Sequence, residues 1–433
     1  MSKRTPHIVI AGGGYVGMYT ALRLQRKLRR GEARVTVIDP RSTMTYQPFL
    51  PEAAAGNLEP RHVVVSLRRT LRHCNVLTAR VASVDHAHQT LRVEPPESAA
   101  YDLHYDELVI AMGSVSRTLP IPGLAEHGMG FKQIEEAIAL RNHVLDKLDL
   151  ATTVVDPRER TAALTFVFVG GGYAGVEALA EIEDMVRYAT RFYDTIQESD
   201  VRFVLVEALN RILPEVGEDM GRYTVDRLRK RGIEVRLNTR LESAVDRHIV
   251  LSDGEEFDAD TLVWTAGVKA TPVLLNTDLP LDDKGRLKAR PDLTVEGADH
   301  VWAAGDNAAV PDLTQPGALT APNAQHAVRQ ARVLGDNIVA SLRGEPLKEY
   351  HHKYVGSVAS LGLHKGVAQV YGVKLRGFPA WFMHRTYHLS RMPTLSKKAR
   401  VVLDWTLALF FKRDVVALGA LQHPRDDFDR ANR

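Results

Sequence analysis

IVIAGGGYVGMYTALRL (Ile8–Leu24) returns almost intact as FVFVGGGYAGVEALAEI (Phe166–Ile182). Each copy runs from a short apolar stretch through a glycine-rich turn into apolar residues at helical spacing, the pattern of a buried strand feeding a helix. In the first copy Gly12, Gly14 and Gly17 take the three positions of G-x-G-x-x-G; in the second they are Gly170, Gly172 and Gly175. The first glycine allows the tight turn, the second lets backbone approach a pyrophosphate, and the third lets helix pack on strand. The helix start then offers unpaired N–H groups and a partial positive charge to phosphates. VTVID ends on Asp39 and FVLVE ends on Glu207, each placed to accept from a ribose hydroxyl. A solvated acid at a strand end is the plainer alternative for either. A second echo, DELVIAMGS (Asp106–Ser114) and DTLVWTAGV (Asp260–Val268), closes each half with a return strand. The fold class follows: α/β, with two Rossmann-type dinucleotide-binding domains.

Which dinucleotide each unit takes is written between and after the repeats. LTARVASVD (Leu77–Asp85), centred on Val81, resembles a strand whose backbone meets an adenine. Ala111 and Gly113 end the first return strand, and Gly267 ends the second. VWAAGDNAAV (Val301–Val310) carries Gly305-Asp306, resembling the second FAD fingerprint of two-dinucleotide flavoproteins, where the Asp bonds the ribityl chain. The first unit is thus expected to hold FAD and to be discontinuous, residues 1–120 with 285–345. The second, 150–275, is expected to hold NADH, since Glu207 would bond a ribose 2′-OH and repel a 2′-phosphate. Arg211 lies close by. A third region, 346–433, follows.

Composition narrows the class. The 433 residues, 45% hydrophobic and 25% charged, suit two or three globular domains. A single cysteine, Cys74, leaves no intrachain disulfide and no two-cysteine redox relay. MSKRTP precedes the first strand without a secretory pattern, and no apolar run reaches the roughly 18–20 residues of a bilayer span. Nothing resembles a nucleic-acid-binding module, and the chemistry implied needs no metal. The net charge of +3 is uneven: nine Lys/Arg stand against Asp404 alone between Lys374 and Arg413.

These residues resemble the type II NADH dehydrogenases, non-proton-pumping NADH:quinone oxidoreductases of the two-dinucleotide-binding-domain flavoproteins. The resemblance rests on GGGYVG and GGGYAGVE, YQPFLPEAAAG (Tyr46–Gly56), VLVEALNRILP (Val204–Pro214), WTAGVKATP (Trp264–Pro272), AAGDNA and APNAQHAVRQA (Ala321–Ala331). It departs at Ala111-Met112-Gly113, where Ala-Thr-Gly is usual, and at Asp39, where Glu is common. It implies a glutathione-reductase-like arrangement, FAD and NADH as cofactors, a membrane quinone as acceptor, a homodimer, and a peripheral place on the cytoplasmic face of the cell membrane. It also implies that Gln325 lies beneath the flavin at the quinone site and that Glu177 influences quinone reduction. By position alone Glu177, read as lying in the first turn of its helix, has a plainer explanation as a carboxylate stabilised by the helix start. His326, beside Gln325 in a first helical turn, is either a quinone or water ligand or a satisfied interface histidine.

GFPAWFMHRTYHLSRMP (Gly377–Pro393) and KKARVVLDWTLALFFKR (Lys397–Arg413) mix aromatics with flanking bases. The second is too short to cross a bilayer but suits its surface, with Trp405, Phe410 and Phe411 inserted and Lys397, Lys398, Arg400, Lys412 and Arg413 on headgroups. A buried helix at a subunit interface is the alternative. Two other functions remain open on sequence: a soluble NAD(P)H-dependent reductase of a small redox protein, and a flavoprotein that senses NADH.

Overall fold

The computed structural model describes residues 4–352, 355–411 and 413–417. Lys412 and the end of the C-terminal region, residues 418–433, lie outside the described residues. The chain forms two compact units, one from Met1–Thr45, Val64–Arg117 and Val268–Tyr354, the other from Tyr46–Val63, Thr118–Gly267 and Val355–Arg433.

In the first unit a parallel five-stranded sheet has the order Val301–Ala303, Glu107–Ile110, His7–Ala11, Arg34–Asp39, Asn75–Thr78. Its central strand is wholly buried, as the unbroken apolar run requires of a parallel strand covered on both faces. The helix Tyr15–Lys27 follows the glycine turn, and the helix Ala324–Arg343 packs on it. Gly335 makes that packing close, since a Cβ there would stand 2.7 Å from Arg23 Cβ. A bidentate Arg23–Asp336 pair at 2.8 Å fixes the rotation of one helix against the other. Leu77–Asp85, read from sequence as one strand, is two. Asn75–Thr78 completes the parallel sheet and Arg80–Asp85 opens an antiparallel three-stranded layer, the change of partner falling at Ala79, whose N–H donates to Asp39 O at 3.0 Å.

The second unit repeats the plan with Gly128–Gly130, Thr261–Trp264, Thr165–Val169, Arg202–Glu207 and Glu234–Leu237, all parallel and in the equivalent order. Its edge strand Gly128–Gly130 precedes the core repeat in the chain, whereas its counterpart Val301–Ala303 follows the first repeat by a long detour. The helix Tyr173–Ala189 begins four residues before Glu177, and its first turn holds no acid. The sequence reading of Glu177 as a first-turn carboxylate is therefore corrected: it lies in the second turn, beyond the reach of the uncapped N–H groups.

The same unit carries the antiparallel strands Gly356–Ser360, Gly366–Val370 and Val373–Arg376, then the helices Phe378–Arg391 and Leu395–Phe410. Among the described residues no helix is long and apolar enough to cross a membrane. Trp405, expected on a lipid surface with Phe410 and Phe411, turns inward. Its indole N–H donates to the buried Glu52 at 2.8 Å, and its ring meets Phe49 edge-on. A buried indole N–H needs an acceptor, and that need outweighs the aromatic's place in the apolar pattern. Phe410 and Phe411 do face outward, 77% and 68% exposed.

Glu52, 2% exposed, also accepts from Arg385 at 2.7 Å, and Arg385 lies over the rings of Trp381 and Trp405. Removing one partner of a buried ion pair strands the other charge. Arg385→Met should therefore cost about 3 kcal/mol or more, read as a lower urea midpoint at unchanged m-value.

Candidate functional site

The two glycine turns divide their glycines between the needs of the protein and those of a guest. Gly12 has φ +107°, and a Cβ there would lie 2.3 Å from Ala111 O; a Cβ on Gly17 would lie 1.8 Å from Gly12 O. Gly170, with φ +115°, and Gly175 are equally confined, the latter by Gly170 O at 1.9 Å. Around Gly14 and Gly172, by contrast, an added Cβ would meet nothing within 4 Å. Protein packing does not demand these two glycines; a ligand lying against the backbone would. Both helices that follow begin without a side-chain cap and without an acid in the first turn, leaving their N–H groups to an anion.

The strand-end acids secure these turns. Asp39 accepts from Gly13 N–H at 2.7 Å and from Arg41 N–H at 2.7 Å. Glu207 repeats the geometry with Gly171 at 2.6 Å and Leu209 at 2.7 Å. Burial pushes the Asp39 carboxyl above its usual range, against the two backbone bonds that favour the anion. Arg211 is turned to its own loop, donating to Pro214 O.

In the first unit the predicted residues gather around this turn. Ala111 N–H donates to Ala11 O at 2.8 Å, and Gly113 N–H to Asn307 Oδ1 at 2.9 Å. Ser114 Oγ donates to Asp306 Oδ2 at 2.6 Å. Gly305 has φ +74°, and its Cβ would press on Val16 of the first helix at 2.7 Å. Val81 is buried in its strand, paired with Val93, two residues beyond the Ala79–Asp39 bond. In the second unit Gly267 has φ +89° and its N–H donates to Thr265 O at 2.9 Å; Thr265 in turn bonds Val169 O and Gly170 O from its hydroxyl.

Gln325 and His326 open the helix Ala324–Arg343 as read, with Asn323 capping His326 N–H at 2.9 Å. Gln325 Oε1 accepts from Arg329 at 3.2 Å. His326 is buried, bonded through Nδ1 to the Tyr350 hydroxyl at 2.9 Å and set against His352 at 4.1 Å between ring centres, the two planes inclined by 44°. Burial and the neighbouring His352 pull its pKa down to about 4, so the imidazole is neutral. Glu177 is not brought to the glycine turn. It is buried, accepting from Ser360 N–H at 2.7 Å, with His384 Nε2 at 3.1 Å.

Two positions that tie this candidate site together escaped the sequence reading. Gln330 accepts from Gly305 N–H at 2.7 Å and donates to Thr320 at 3.1 Å, tying the Gly305-Asp306 loop to the helix that carries Gln325. Asn307, fully buried, bridges Gly113 and Ile110 O. A polar residue at a buried helical position, as Gln330 is in AQHAVRQA, was the available signal. Asn307 had none beyond its place after Asp306.

The pyridine nucleotide-disulphide oxidoreductase family matches residues 6–331. The type II NADH:quinone oxidoreductase of Mycobacterium tuberculosis is 30% identical over 428 residues, covering 95% of this chain and 89% of that protein. The enzyme of the same description from Staphylococcus aureus is 30% identical over 390 residues, 89% and 94% of the two chains. The chain belongs to the type II NADH:quinone oxidoreductases. The structure of Plasmodium falciparum NDH2 in complex with NADH superposes with a TM-score of 0.88 at 20% identity, covering 95% of this chain and 100% of that one, so the fold is shared throughout.

Within the wider family this oxidoreductase lacks the dithiol of the disulphide reductases. Its one cysteine, Cys74, is half-buried, and burial raises the thiol to about 11.

The glycine geometry separates two substitutions. Gly17→Ala should destabilise the fold by about 3 kcal/mol. Gly14→Val should leave it within about 1 kcal/mol of the parent yet abolish flavin loading; thermal melts beside the visible absorbance of purified protein check both. His326 supplies a pH test. Its folded pKa of about 4 lies below the 6.5 of a free histidine, so on acidification the unfolded chain takes the proton first. The contribution of neutral His326 is complete above pH 6.5 and is lost as pH falls from there toward 4. His326→Asn should flatten the fall of melting temperature across that window.

Proposed function

We propose that this family member oxidises NADH and reduces a membrane quinone, with FAD held in the first unit and NADH in the second. The observation that carries this reading is the duplicated turn in which the second glycine alone faces open space, at Gly14 and at Gly172. Bound FAD supplies the redox chemistry, accepting a hydride from NADH and yielding two electrons to the quinone. The chain supplies position and charge. Gly12, Gly14, Gly17 and the helix start at Tyr15 hold the FAD pyrophosphate. Asp39 holds the adenosine ribose, the Val81 backbone the adenine, Ala111 and Gly113 the loop beside them, and Gly305 with Asp306 the ribityl arm. Gly170, Gly172, Gly175 and Gly267 cradle NADH, and Glu207 accepts from its ribose 2′-OH, disfavouring a 2′-phosphate.

Gln325, at the start of the helix tied by Gln330 to the Gly305 loop, serves the flavin and the quinone oxygen. His326, neutral and bonded to Tyr350, orients that helix start or a water beside it. Glu177 serves quinone protonation from its buried place. Peripheral attachment on the cytoplasmic face, by a homodimer, rests on the helix Leu395–Phe410. Val401, Asp404 and Trp405 pack inward, while Val402, Leu403, Leu407, Leu409 and Phe410 stand exposed on the other side. Lys397 and Lys398, at the start of the same helix, donate to the backbone carbonyls of Arg61 and Ser390.

The test is NADH oxidation by purified protein with added lipid and a panel of quinones, NADPH run in parallel. Quinone-dependent turnover with NADH at least about tenfold above NADPH is expected, a margin of about 1.4 kcal/mol; absence of quinone-dependent turnover refutes the reading. Truncation after Pro393 should abolish sedimentation with anionic liposomes, and full retention would refute the attachment.

A further inference from the structure

Beneath Glu177 the second unit buries more titratable groups than packing accounts for. Glu177, Glu181 and Glu52 are all under 9% exposed, and His384 stands among them at 1%. Glu52 pairs with Arg385 and accepts from Trp405, and Glu181 accepts from Asn57 and from the Ser360 hydroxyl, both at 3.0 Å. His384 has no such settlement. Its Nε2 lies 3.1 Å from Glu177 Oε1, off the line of a hydrogen bond, and its Nδ1 is buried without a hydrogen-bond partner among the described residues. Leaving a buried ring nitrogen unpaired costs about 1–3 kcal/mol, and such exceptions ask for a reason beyond structure.

We propose that His384 is a positioning residue for quinone reduction, holding a proton that it shares with Glu177 and that Glu177 delivers to the quinone oxygen. This rests on the function proposed above. Reduction of a quinone to a quinol takes two electrons and two protons, while NADH yields two electrons and one proton as a hydride. One proton per turnover therefore comes from the medium. The N–H bond at His384 Nε2 breaks as an O–H bond forms at Glu177 Oε1; that proton then bonds the quinone oxygen as the Glu177 O–H bond breaks, and a proton taken up from the medium restores the imidazolium.

The surroundings favour this distribution of charge. Burial opposes the imidazolium, but the carboxylates of Glu177, Glu52 and Glu181 outweigh it, and the His384 pKa is raised above 6.5. On the same helix Arg385 is held by Glu52, and His388, at 4.6 Å between ring centres, is kept neutral by burial and by His384. The strands Gly356–Ser360 and Gly366–Val370, on which that helix packs, carry no charged side chain. Lys374 and Arg376 of the next strand are engaged with Asp219. On the helix Leu395–Phe410, Asp404 pairs with His62, Lys397 and Lys398 bond backbone carbonyls, and Arg400 reaches toward His62. Glu181 is itself raised by burial and by Glu52 and Asp184, against Arg413 and Arg385, so it adds little negative charge at low pH.

Two measurements on the flavin-loaded, full-length protein test the pair. Isotope-labelled histidine NMR, with the His384 signal assigned by its loss in His384→Gln, should show titration above pH 6.5. Glu177→Gln should move that titration down by about one pH unit or more. In stopped flow, re-oxidation of the reduced enzyme by menadione should slow as pH rises through the His384 pKa. In His384→Gln it should be slower on the order of 10²-fold and lose that pH step. If His384→Gln does not accumulate, His384→Asn serves for assignment and kinetics, while the Glu177→Gln shift is read regardless. A His384 signal indifferent to Glu177→Gln, or an unchanged pH step in the His384 variant of a protein that does reduce quinone, overturns the pair. A parent protein that menadione never re-oxidises sinks the wider reading, and the pair with it.

Discussion

The approach of Gly17 to the carbonyl of Gly12, repeated by Gly175 on Gly170, is the constraint on which each unit is built. Because neither position tolerates a β-carbon, helix and strand close up and the intervening turn is drawn tight. That turn aims the N–H of Gly13 at Asp39 and the N–H of Gly171 at Glu207, so the acid at the end of the neighbouring strand is oriented by the turn it stabilises. One steric requirement thus sets the helix start, the room at the second glycine and the direction of the carboxylate together.

The second unit carries a different economy of charge. Among its described residues four glutamates, Glu52, Glu177, Glu181 and Glu183, are buried, three of them on the helix Tyr173–Ala189. Glu183 is answered by Arg187 and Arg231, and Glu52 by Arg385. Such pairs add little stability over apolar packing, because desolvation takes back most of the attraction. What they give is placement. The helix Phe378–Arg391 has one seat in which Arg385 meets Glu52, and in that seat His384 comes up against Glu177.

The duplication was legible because its requirements are local: glycines at fixed spacing, an acid at the end of the next strand (22 residues past the third glycine in the first copy, 32 in the second), a return strand ending in a small residue and glycine. The family followed from the same short motifs. Long-range partners were not legible. Ser360 reaches Glu177 across 183 positions and Trp405 reaches Glu52 across 353, distances at which no periodicity speaks. Trp405 was misread because helical patterning assigns an aromatic to the apolar face without asking where its N–H will find an acceptor. Glu177 was placed one turn too early because the helix begins at Tyr173, directly on the glycine turn, not after it. The break at Ala79 was hidden because both of its strands are apolar and share one run of sequence.

The edge strand Val301–Ala303 completes a sheet whose other members all lie before residue 111. During synthesis the strand Glu107–Ile110 emerges with its outer edge open, and its partner follows roughly 190 residues later, some 10–40 s at ordinary elongation rates of about 5–20 residues per second. An unpaired parallel edge of that duration is an invitation to wrong pairing. The nascent first unit therefore waits with an open parallel edge, whereas the second, whose edge strand is translated early, does not. Slowing translation should harm the yield of this chain more than its length alone suggests.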